Sequence, residues 1–227
     1  MNRNIDNAEI LPDNKILIVT GGFTDEKFLA SLVLKERYSL IIAADKGLVV
    51  LDRLKILPDM ILGDFDSAGT DIINKYRSKS VPVMTYPSQK DKTDTELAFE
   101  WALEQNPSVI DLAGATGSRL DHTMANIYLL LAALRKNVDA KILDPGNKIY
   151  LKAGNFVIKK DRQHGDFVSL LPFTYQVRGL KMKGFKYPLY GITLTAGSSL
   201  CISNEIVEDE AKVEFEEGIL IVFETRD

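Results

Sequence analysis

The sequence predicts an α/β fold: a parallel-sheet, Rossmann-like α/β domain over residues 1–146, followed by a small all-β, sandwich-like domain over residues 147–227. In the first two thirds of the chain, short apolar segments alternate with segments of helical period, a pattern typical of parallel strands joined by crossover helices. From Lys148 onwards the apolar runs are short and are separated by Gly, Pro and Asn, which indicates antiparallel β-structure. Pro145 and Gly146 interrupt the pattern, so the boundary is predicted there.

The predicted elements follow from these periods. Helices are expected from about Asp25 to Lys35, over DIINKYRSK, from about Asp94 to Gln105 and from about Asp121 to Arg135. Trp101 has helical spacing and is interpreted as a core residue. Strands of the first domain are expected at KILIVT, SLIIAA, MIL, VPVMTY, SVIDLA and AKIL, and strands of the second at KIYLKA, NFVIKK, DFVSLLPF, SLCIS, KVEFEE and ILIVFE.

Composition excludes several classes of function. The net charge of -4 argues against a protein that mainly binds a nucleic-acid backbone. No apolar run approaches the roughly 20 residues that cross a bilayer, and MNRNIDNAEI lacks the apolar stretch of a secretory signal, so a cytoplasmic protein without membrane contact is expected. Cys201 is the single cysteine, so no intrachain disulfide is possible, and with only two histidines beside it a zinc site is not expected. Cys201 is interpreted as a buried small apolar residue within a predicted SLCIS strand.

Acidic residues follow the predicted strands. AADKG comes after SLII, GDFDS after MIL, PSQKDKTD after VPVMTY, and GATGSRLDH after SVIDLA. Because the carboxyl ends of parallel strands share one edge, where ligands bind, these acids are expected on one rim. Their mutual repulsion calls for a cation, and Mg²⁺ combines one or two carboxylates with substrate phosphates. The sequence therefore predicts a magnesium-nucleotide site containing Asp45, Asp64, Asp66, Asp91, Asp94 and Asp121.

The same edge carries groups suited to phosphate. Gly114 and Gly117 of GATG lie between a strand and a helix, where backbone N–H groups and the helix N-terminus favour anions. Arg119 and Lys92 are the candidate cationic partners of the phosphates. The phosphate-binding patterns GxxxxGK[ST] and GxGxxG are both absent from the sequence. His122 begins a helix and is either a helix-end hydrogen-bonding residue or a catalytic one.

Each of these residues also has a structural explanation. Thr93 and Glu96 fit a helix capping box, with Asp94 in the first turn, and Ser118 or Asp121 fits the cap of the next helix. For a single acid, capping or turn formation is the better interpretation. The clustering at the ends of successive strands favours a functional site.

In this order and at these separations, GDFDS, DKTDTE, TGSRLDH, KYPL and SNE resemble the motifs of the thiamine pyrophosphokinase family, over almost the whole chain. The resemblance implies transfer of a diphosphate group from ATP to the hydroxyl of thiamine, which gives thiamine diphosphate and AMP. It also implies a homodimer whose site is shared between subunits.

The resemblance further implies residue roles. Asp64, Asp66, Asp91, Asp94 and Asp121 would hold Mg²⁺ and the ATP phosphates. Arg119 would contact the phosphates, and Asp91 or Asp94 is the candidate base. Asp45 and Gly47 would lie on the nucleotide side, and the β domain would supply Ser203 and Asn204 to thiamine. By their position at the strand ends, the residues also expected on the nucleotide side are Lys92, Thr93, Gly114, Gly117 and His122.

Two departures from the family pattern affect fit more than chemistry. Lys46 replaces the first of two glycines in an ADGG-like motif, and Cys201 with Ile202 stands where a glycine usually precedes SNE. Two alternatives remain at this point. A DxD-type nucleotide-sugar glycosyltransferase would use Asp64 and Asp66 alone, and a non-catalytic Mg-nucleotide sensor would use the same rim without turnover.

Overall fold

The computed structural model describes residues 14–64, 70–86 and 91–227. The α/β region contains five helices: α1 (Glu26–Glu36), α2 (Gly47–Arg53), α3 (Thr70–Ser78), α4 (Asp94–Glu104) and α5 (Leu120–Arg135). Its six strands are β1 (Lys15–Val19), β2 (Leu40–Ala44), β3 (Met60–Gly63), β4 (Val83–Thr85), β5 (Val109–Ala113) and β6 (Asp139–Leu143). They are followed by β7 (Asn147–Lys152), β8 (Phe156–Lys159), β9 (Phe167–Pro172), β10 (Gln176–Lys183), β11 (Leu189–Thr195), β12 (Glu210–Glu214) and β13 (Leu220–Thr225).

The larger sheet has nine strands in the order β4-β3-β2-β1-β5-β6-β7-β13-β9. The six strands from β4 to β6 are parallel, as the alternating pattern predicted, and β7, β13 and β9 continue the sheet in antiparallel pairing. The chain moves outward from β1 through β2 and β3 to β4 and then returns to the other side of β1 with β5. Such a reversal of strand order opens a crevice at the carboxyl ends of the two strands.

Alternating residues of β1 explain why helices cover both faces of the parallel region. Ile16 and Ile18 point into a core with Phe99 of α4 and Leu130 of α5. Leu17 and Val19 point into the opposite core, whose buried members also include Leu29, Leu48 and Ile73 from α1, α2 and α3. All four β1 residues are fully buried, which accounts for the continuous apolar run in the sequence.

The second sheet has four antiparallel strands in the order β11-β10-β12-β8. It packs against the antiparallel end of the larger sheet through a core that includes Val168, Leu170, Leu180, Met182 and Val222. The two antiparallel layers therefore face each other as a sandwich, and the predicted fold class is confirmed. The larger sheet does not break at residue 146, because β6 hydrogen-bonds β7 across that turn; a boundary at residues 146 and 147 stays a prediction.

The predicted helices agree with α1, α3, α4 and α5 to within a few residues. The prediction of a strand over SLCIS is wrong, because these residues form turns. Cys201 is nonetheless buried there, as predicted. Strands β10 and β11 were not predicted, because positive-φ glycines (Gly179 and Gly191) and register shifts interrupt their alternation. Among the described residues, no helix is long and apolar enough to span a membrane.

Candidate active site

The main candidate site is a cleft of about 720 Å³ at the point where the strand order reverses, between the ends of β1 and β5. Its walls come from the loops after β1, β2 and β3, the start of α4, the GATG loop after β5 and the start of α5. The volume falls within the range typical of small-molecule sites. Its position agrees with the general rule for ligands of open parallel sheets.

The two central loops are joined backbone to backbone. Gly22 N donates to Gly114 O at 2.8 Å, and Phe23 N donates to Thr116 O at 2.7 Å. The Thr20 hydroxyl also donates to Gly114 O. A Cβ at Gly22 would lie 2.3 Å from both Gly114 O and Thr116 O, so only glycine permits this approach. Gly114 has φ +68°, a left-handed conformation that glycine adopts without a steric penalty.

Buried polar side chains hold the GATG loop from behind. Asn126 of α5 is buried, and its Nδ2 donates to Ala115 O at 2.8 Å. The Thr116 hydroxyl donates to Asp144 Oδ2 at 2.8 Å, and Asp144 Oδ1 accepts from Gly146 N at 2.8 Å. These bonds tie the loop to α5 and to the turn between β6 and β7. The backbone around Gly114 and Gly117 is therefore held in place before any ligand arrives.

The N-terminus of α4 forms another wall of the cleft. Thr93 is the N-cap, and its Oγ1 accepts from Glu96 N at 3.1 Å, as the capping box predicted. Asp94 is the first helical residue and lines the cleft. Lys92 Nζ lies 2.6 Å from both carboxylate oxygens of Glu100, a bond that raises the pKa of Lys92. Lys92 therefore stays cationic at the mouth of the cleft.

The start of α5 presents a guanidinium to the cleft. Arg119 is the N-cap but makes no capping bond through its side chain; neither Ser118 nor Asp121 takes the predicted N-cap position. Arg119 Nη2 lies 2.6 Å from Asp121 Oδ2, and both side chains are largely exposed. This hydrogen bond lowers the pKa of Asp121. Because the pair is exposed, Arg119 can exchange this carboxylate for a phosphate at little cost.

Three of the predicted carboxylates line the cleft: Asp45, Asp64 and Asp94. Asp45 has φ 49°, and its N–H donates to Leu62 O at 2.9 Å, so the ends of β2 and β3 are tied together at this point. Among the described residues, no group of three acids, histidines or cysteines is placed to hold a metal by itself. Mg²⁺ needs only one or two carboxylates when phosphates and water complete its shell, so the donor set fits Mg²⁺ bound together with a nucleotide.

The cleft brings together most of the predicted nucleotide-side residues, but several predicted residues lie outside its lining. Gly47 starts α2 behind the cleft, where a Cβ would lie 2.0 Å from Val19 O. Asp91 is exposed beside the α4 cap, and Asp66 lies outside the described residues. Within the cleft lining are Asp45, Asp64, Lys92, Thr93, Asp94, Gly114, Gly117, Arg119 and His122; outside it are Gly47, Asp91, Asp121, Ser203 and Asn204.

Ser203 and Asn204 lie in the sandwich region of the chain. Asn204 is buried, and its side-chain amide binds the Tyr187 backbone in both directions, at 3.0 Å to Tyr187 N and 2.8 Å to Tyr187 O. Ser203 has φ 55°, and its N–H donates to Ser169 Oγ at 2.9 Å. In this conformation the Asn204 amide joins the SNE and KYPL segments to each other.

Sequence reasoning missed the loop after β1. Thr20, Gly21, Gly22 and Phe23 all line the cleft. The signal was present, since TGGF directly follows the apolar run KILIV and two adjacent glycines at a strand end permit close backbone contact. Thr24 Oγ1, beside Gly114, is buried without a hydrogen-bond partner in the described part of the chain.

Comparisons with known proteins identify the family of this chain. Residues 32–142 match the family model "Thiamin pyrophosphokinase, catalytic domain", and residues 155–220 match "Thiamin pyrophosphokinase, vitamin B1 binding domain". The thiamine pyrophosphokinase of Bacillus subtilis is 37% identical over 218 residues, which cover 95% of each chain.

Solved structures give the same result. The crystal structure of thiamine pyrophosphokinase from Bacillus subtilis superposes with a TM-score of 0.84 at 34% identity, covering 94% of this chain and 99% of that one. The structure of thiamin pyrophosphokinase from Geobacillus thermodenitrificans gives a TM-score of 0.81 at 32% identity, covering 94% and 98%. Over nearly its whole length, in sequence and in fold, this chain belongs to the thiamine pyrophosphokinase family.

Proposed function

We propose that this chain carries out the reaction of its family in the cleft between β1 and β5, moving the diphosphate group of ATP to the hydroxyl of thiamine. The observation that carries the proposal is the joining of two glycine loops beside carboxylates and cations at the reversal of strand order. The products are thiamine diphosphate and AMP. The family membership leaves the glycosyltransferase and the sensor alternatives without support.

The ATP phosphates lie against the GATG loop and the starts of α4 and α5 in this proposal. Backbone N–H groups near Gly117 and the N-terminal ends of the two helices attract anions. Arg119 binds two phosphate oxygens through its guanidinium, and Lys92 adds a positive charge at the mouth. Thr93 fixes the start of α4, so that Asp94 faces the same space.

Asp64 and Asp94 are the described residues that would hold Mg²⁺, together with Asp66 of the GDFDS segment. The ion would supply charge neutralisation on the phosphate oxygens. By holding the ion, these carboxylates would help to orient the phosphates relative to Arg119. Asp91 and Asp121 stay predicted contributors from outside the cleft lining, and their contact with ATP would require the ligand to extend past the mouth.

The chemistry requires alignment more than a strong base. Phosphoryl transfer has a loose transition state in most analyses, so the enzyme contributes by positioning and by stabilising charge. The joined loops provide a fixed backbone, and Arg119 provides a mobile cation that follows the phosphate charge. Asp91 or Asp94 is the proposed acceptor of the thiamine hydroxyl proton.

Thiamine binding and assembly form one proposal, because Ser203 and Asn204 lie outside the cleft of their own chain. Leu120, Met124 and Tyr128 form an exposed apolar stripe on α5, the helix whose start lines the cleft. An exposed apolar stripe beside a site is typical of a protein interface. We therefore expect a homodimer in which the partner subunit's β region completes the thiamine pocket. We also propose that the protein is cytoplasmic.

One assay tests the reaction. The protein is mixed with ATP, Mg²⁺ and thiamine, and the nucleotide and thiamine products are quantified. We expect AMP and thiamine diphosphate in equal amounts, and no turnover without thiamine. Formation of ADP, or turnover that ignores thiamine, would refute the proposal.

Two variants test the site and the assembly. Asp66→Asn should remove most of the activity while the melting temperature is retained; an unchanged rate would show that Asp66 takes no part in the reaction. Tyr128→Glu should convert a dimer to a monomer in light scattering and lower activity. A dimer that persists in Tyr128→Glu would place the interface elsewhere.

A further inference from the structure

A second cavity, of about 340 Å³, lies on the face of the larger sheet where β6, β7 and β13 meet β8. Its lining contains more positive than negative charge. The negative members are Asp139 and Glu224, and the aromatic members are Tyr150 and Phe156. The positive members are Lys141, Lys148, Lys152, Lys159 and Arg162.

The alternation of side chains along β7 produces this charge. Lys148, Tyr150 and Lys152 are two residues apart, so they project from the same face of the strand. Lys141 of β6 is paired with Tyr150 across the sheet, and Glu224 of β13 is paired with Lys148. The register therefore collects charged side chains from three adjacent strands on a single surface.

The floor of the cavity is a buried polar network. Glu224 is 1% exposed, and its Oε1 accepts from the Tyr150 hydroxyl at 2.9 Å and from Lys148 Nζ at 2.9 Å. Its Oε2 accepts from His164 N at 2.8 Å. Lys148 is thus paired with Glu224, and burial with the adjacent Glu224 charge raises the pKa of Tyr150 well above its usual range. The charges of the floor are therefore paired with each other.

The rim is different, because some of its cations have only long ion pairs. Lys152 Nζ lies 3.8 Å from Asp139, whereas Lys141 is mostly buried and lies 3.3 Å from the buried Asp111 and 4.0 Å from Asp139. These separations exceed the roughly 2.7–2.9 Å of a tight charge-assisted hydrogen bond. Asp139 is half exposed and is shared between two lysines, so it neutralises neither of them well.

The outer rim adds two further cations. Lys159 Nζ lies 3.8 Å from Glu210, and both side chains are about half exposed. Arg162 is exposed, lines the cavity and has no ion pair within 4.0 Å among the residues that the structure describes. Cations with long ion pairs or none, above a floor of paired charges, form an arrangement that a multiply charged anion would complete.

We propose that this cavity is a second anion-binding site, separate from the ATP cleft, which takes a phosphate group. The rim lysines and Arg162 bind the phosphate oxygens by charge-assisted hydrogen bonds. The half-buried Phe156 and the exposed Val157 at the edge leave room for an organic group attached to the phosphate. Free inorganic phosphate and the phosphate of a mononucleotide share this chemistry, so both are used as probes.

The test is a titration of the full-length protein with inorganic phosphate and, separately, with AMP, followed by amide chemical shifts in NMR. We expect saturable shifts in residues 147–162, distinct from any shifts in the GATG loop. A stronger response to phosphate identifies a free-anion site, and a stronger response to AMP identifies a nucleotide site; either outcome supports the proposal. Shifts confined to the GATG loop would overturn it.

Matched variants assign the binding to the rim. Lys152→Gln should weaken phosphate binding at residues 147–162 by roughly tenfold, as expected for loss of one charged hydrogen-bond partner. Lys183→Gln removes an exposed lysine with a similarly loose pair, 3.7 Å from Glu214, and should leave the binding unchanged. Equal weakening in the two variants, or none in Lys152→Gln, would show unspecific attraction and refute the site.

Discussion

Replacement of Gly22 by alanine tests whether the two glycine loops are as tightly joined as the structure shows. The added Cβ would lie 2.3 Å from Gly114 O and from Thr116 O, and an ordinary contact begins near 3.4 Å, so the loops must separate by about 1.1 Å. The bonds of 2.8 Å and 2.7 Å that join the loops through Gly22 N and Phe23 N would then be stretched or lost.

The expected cost of Gly22→Ala follows from these contacts. Overpacking typically costs 1–3 kcal/mol, and each of the two lost backbone bonds adds about 1 kcal/mol, so we expect a loss of about 3–5 kcal/mol in the free energy of unfolding. For a chain of this length, that loss lowers the melting temperature by roughly 6 to 20 °C. Because the same loop lines the cleft, the affinity for ATP should fall as well.

Gly154→Ala is the matched control for this experiment. Gly154 lies in the turn between β7 and β8, and no heavy atom lies within 4 Å of an added Cβ. Its unfolding free energy in urea should stay within about 0.5 kcal/mol of the wild-type value. The reasoning is refuted if Gly22→Ala is as stable as Gly154→Ala, since the loops would then separate without cost.

Three further predictions concern the cleft, the half-buried His164 and the cysteine. Arg119→Gln should lower the rate of diphosphate transfer by roughly 100-fold without changing the melting temperature. The control Arg178→Gln on β10 should keep full activity. Equal rates in the two variants would show that Arg119 does not bind the phosphates. Burial lowers the pKa of His164, so as the pH falls the unfolded state takes up a proton at a higher pH than the native state does. The unfolding free energy should therefore fall as the pH drops below about 6.5. If the unfolding free energy of His164→Gln depends on pH in the same way, the effect comes from other groups. Burial raises the pKa of the Cys201 thiol to about 11, so its modification by a thiol reagent at pH 8 should be roughly 100-fold slower in the native than in the unfolded protein, and similar rates would contradict its burial.

Periodicity predicted the strands of the parallel half of the fold and its helices other than α2. The β1 segment is fully buried, and the helix that begins at Asp94 is capped by Thr93, so local sequence and tertiary structure agree there. The β-rich half was predicted less well. Gly179 and Gly191 have positive φ and lie in irregularly paired strands, which a pattern of strict alternation does not detect.

The candidate site likewise contains residues that the sequence predicted and residues that only the structure revealed. Strand-end acids pointed to Asp45, Asp64 and Asp94, because the ends of parallel strands always meet at one edge. The TGGF loop was overlooked, since it carries no charge and its role depends on contact with a loop about 90 residues away. Asn204 stays a predicted thiamine residue, and its amide is bonded to the Tyr187 backbone, a contact that no local pattern contains.

The sequence by itself determined the alternation of strands and helices, the acids at strand ends and the family motifs, because each depends on residues that are close together in the chain. The tertiary structure decided which loops touch and which charges are neutralised. Gly22 meets Gly114, and Lys148 meets Glu224, only through strand pairing over long separations. Register sets these contacts, and a shift of one residue would turn every side chain of a strand to the opposite face.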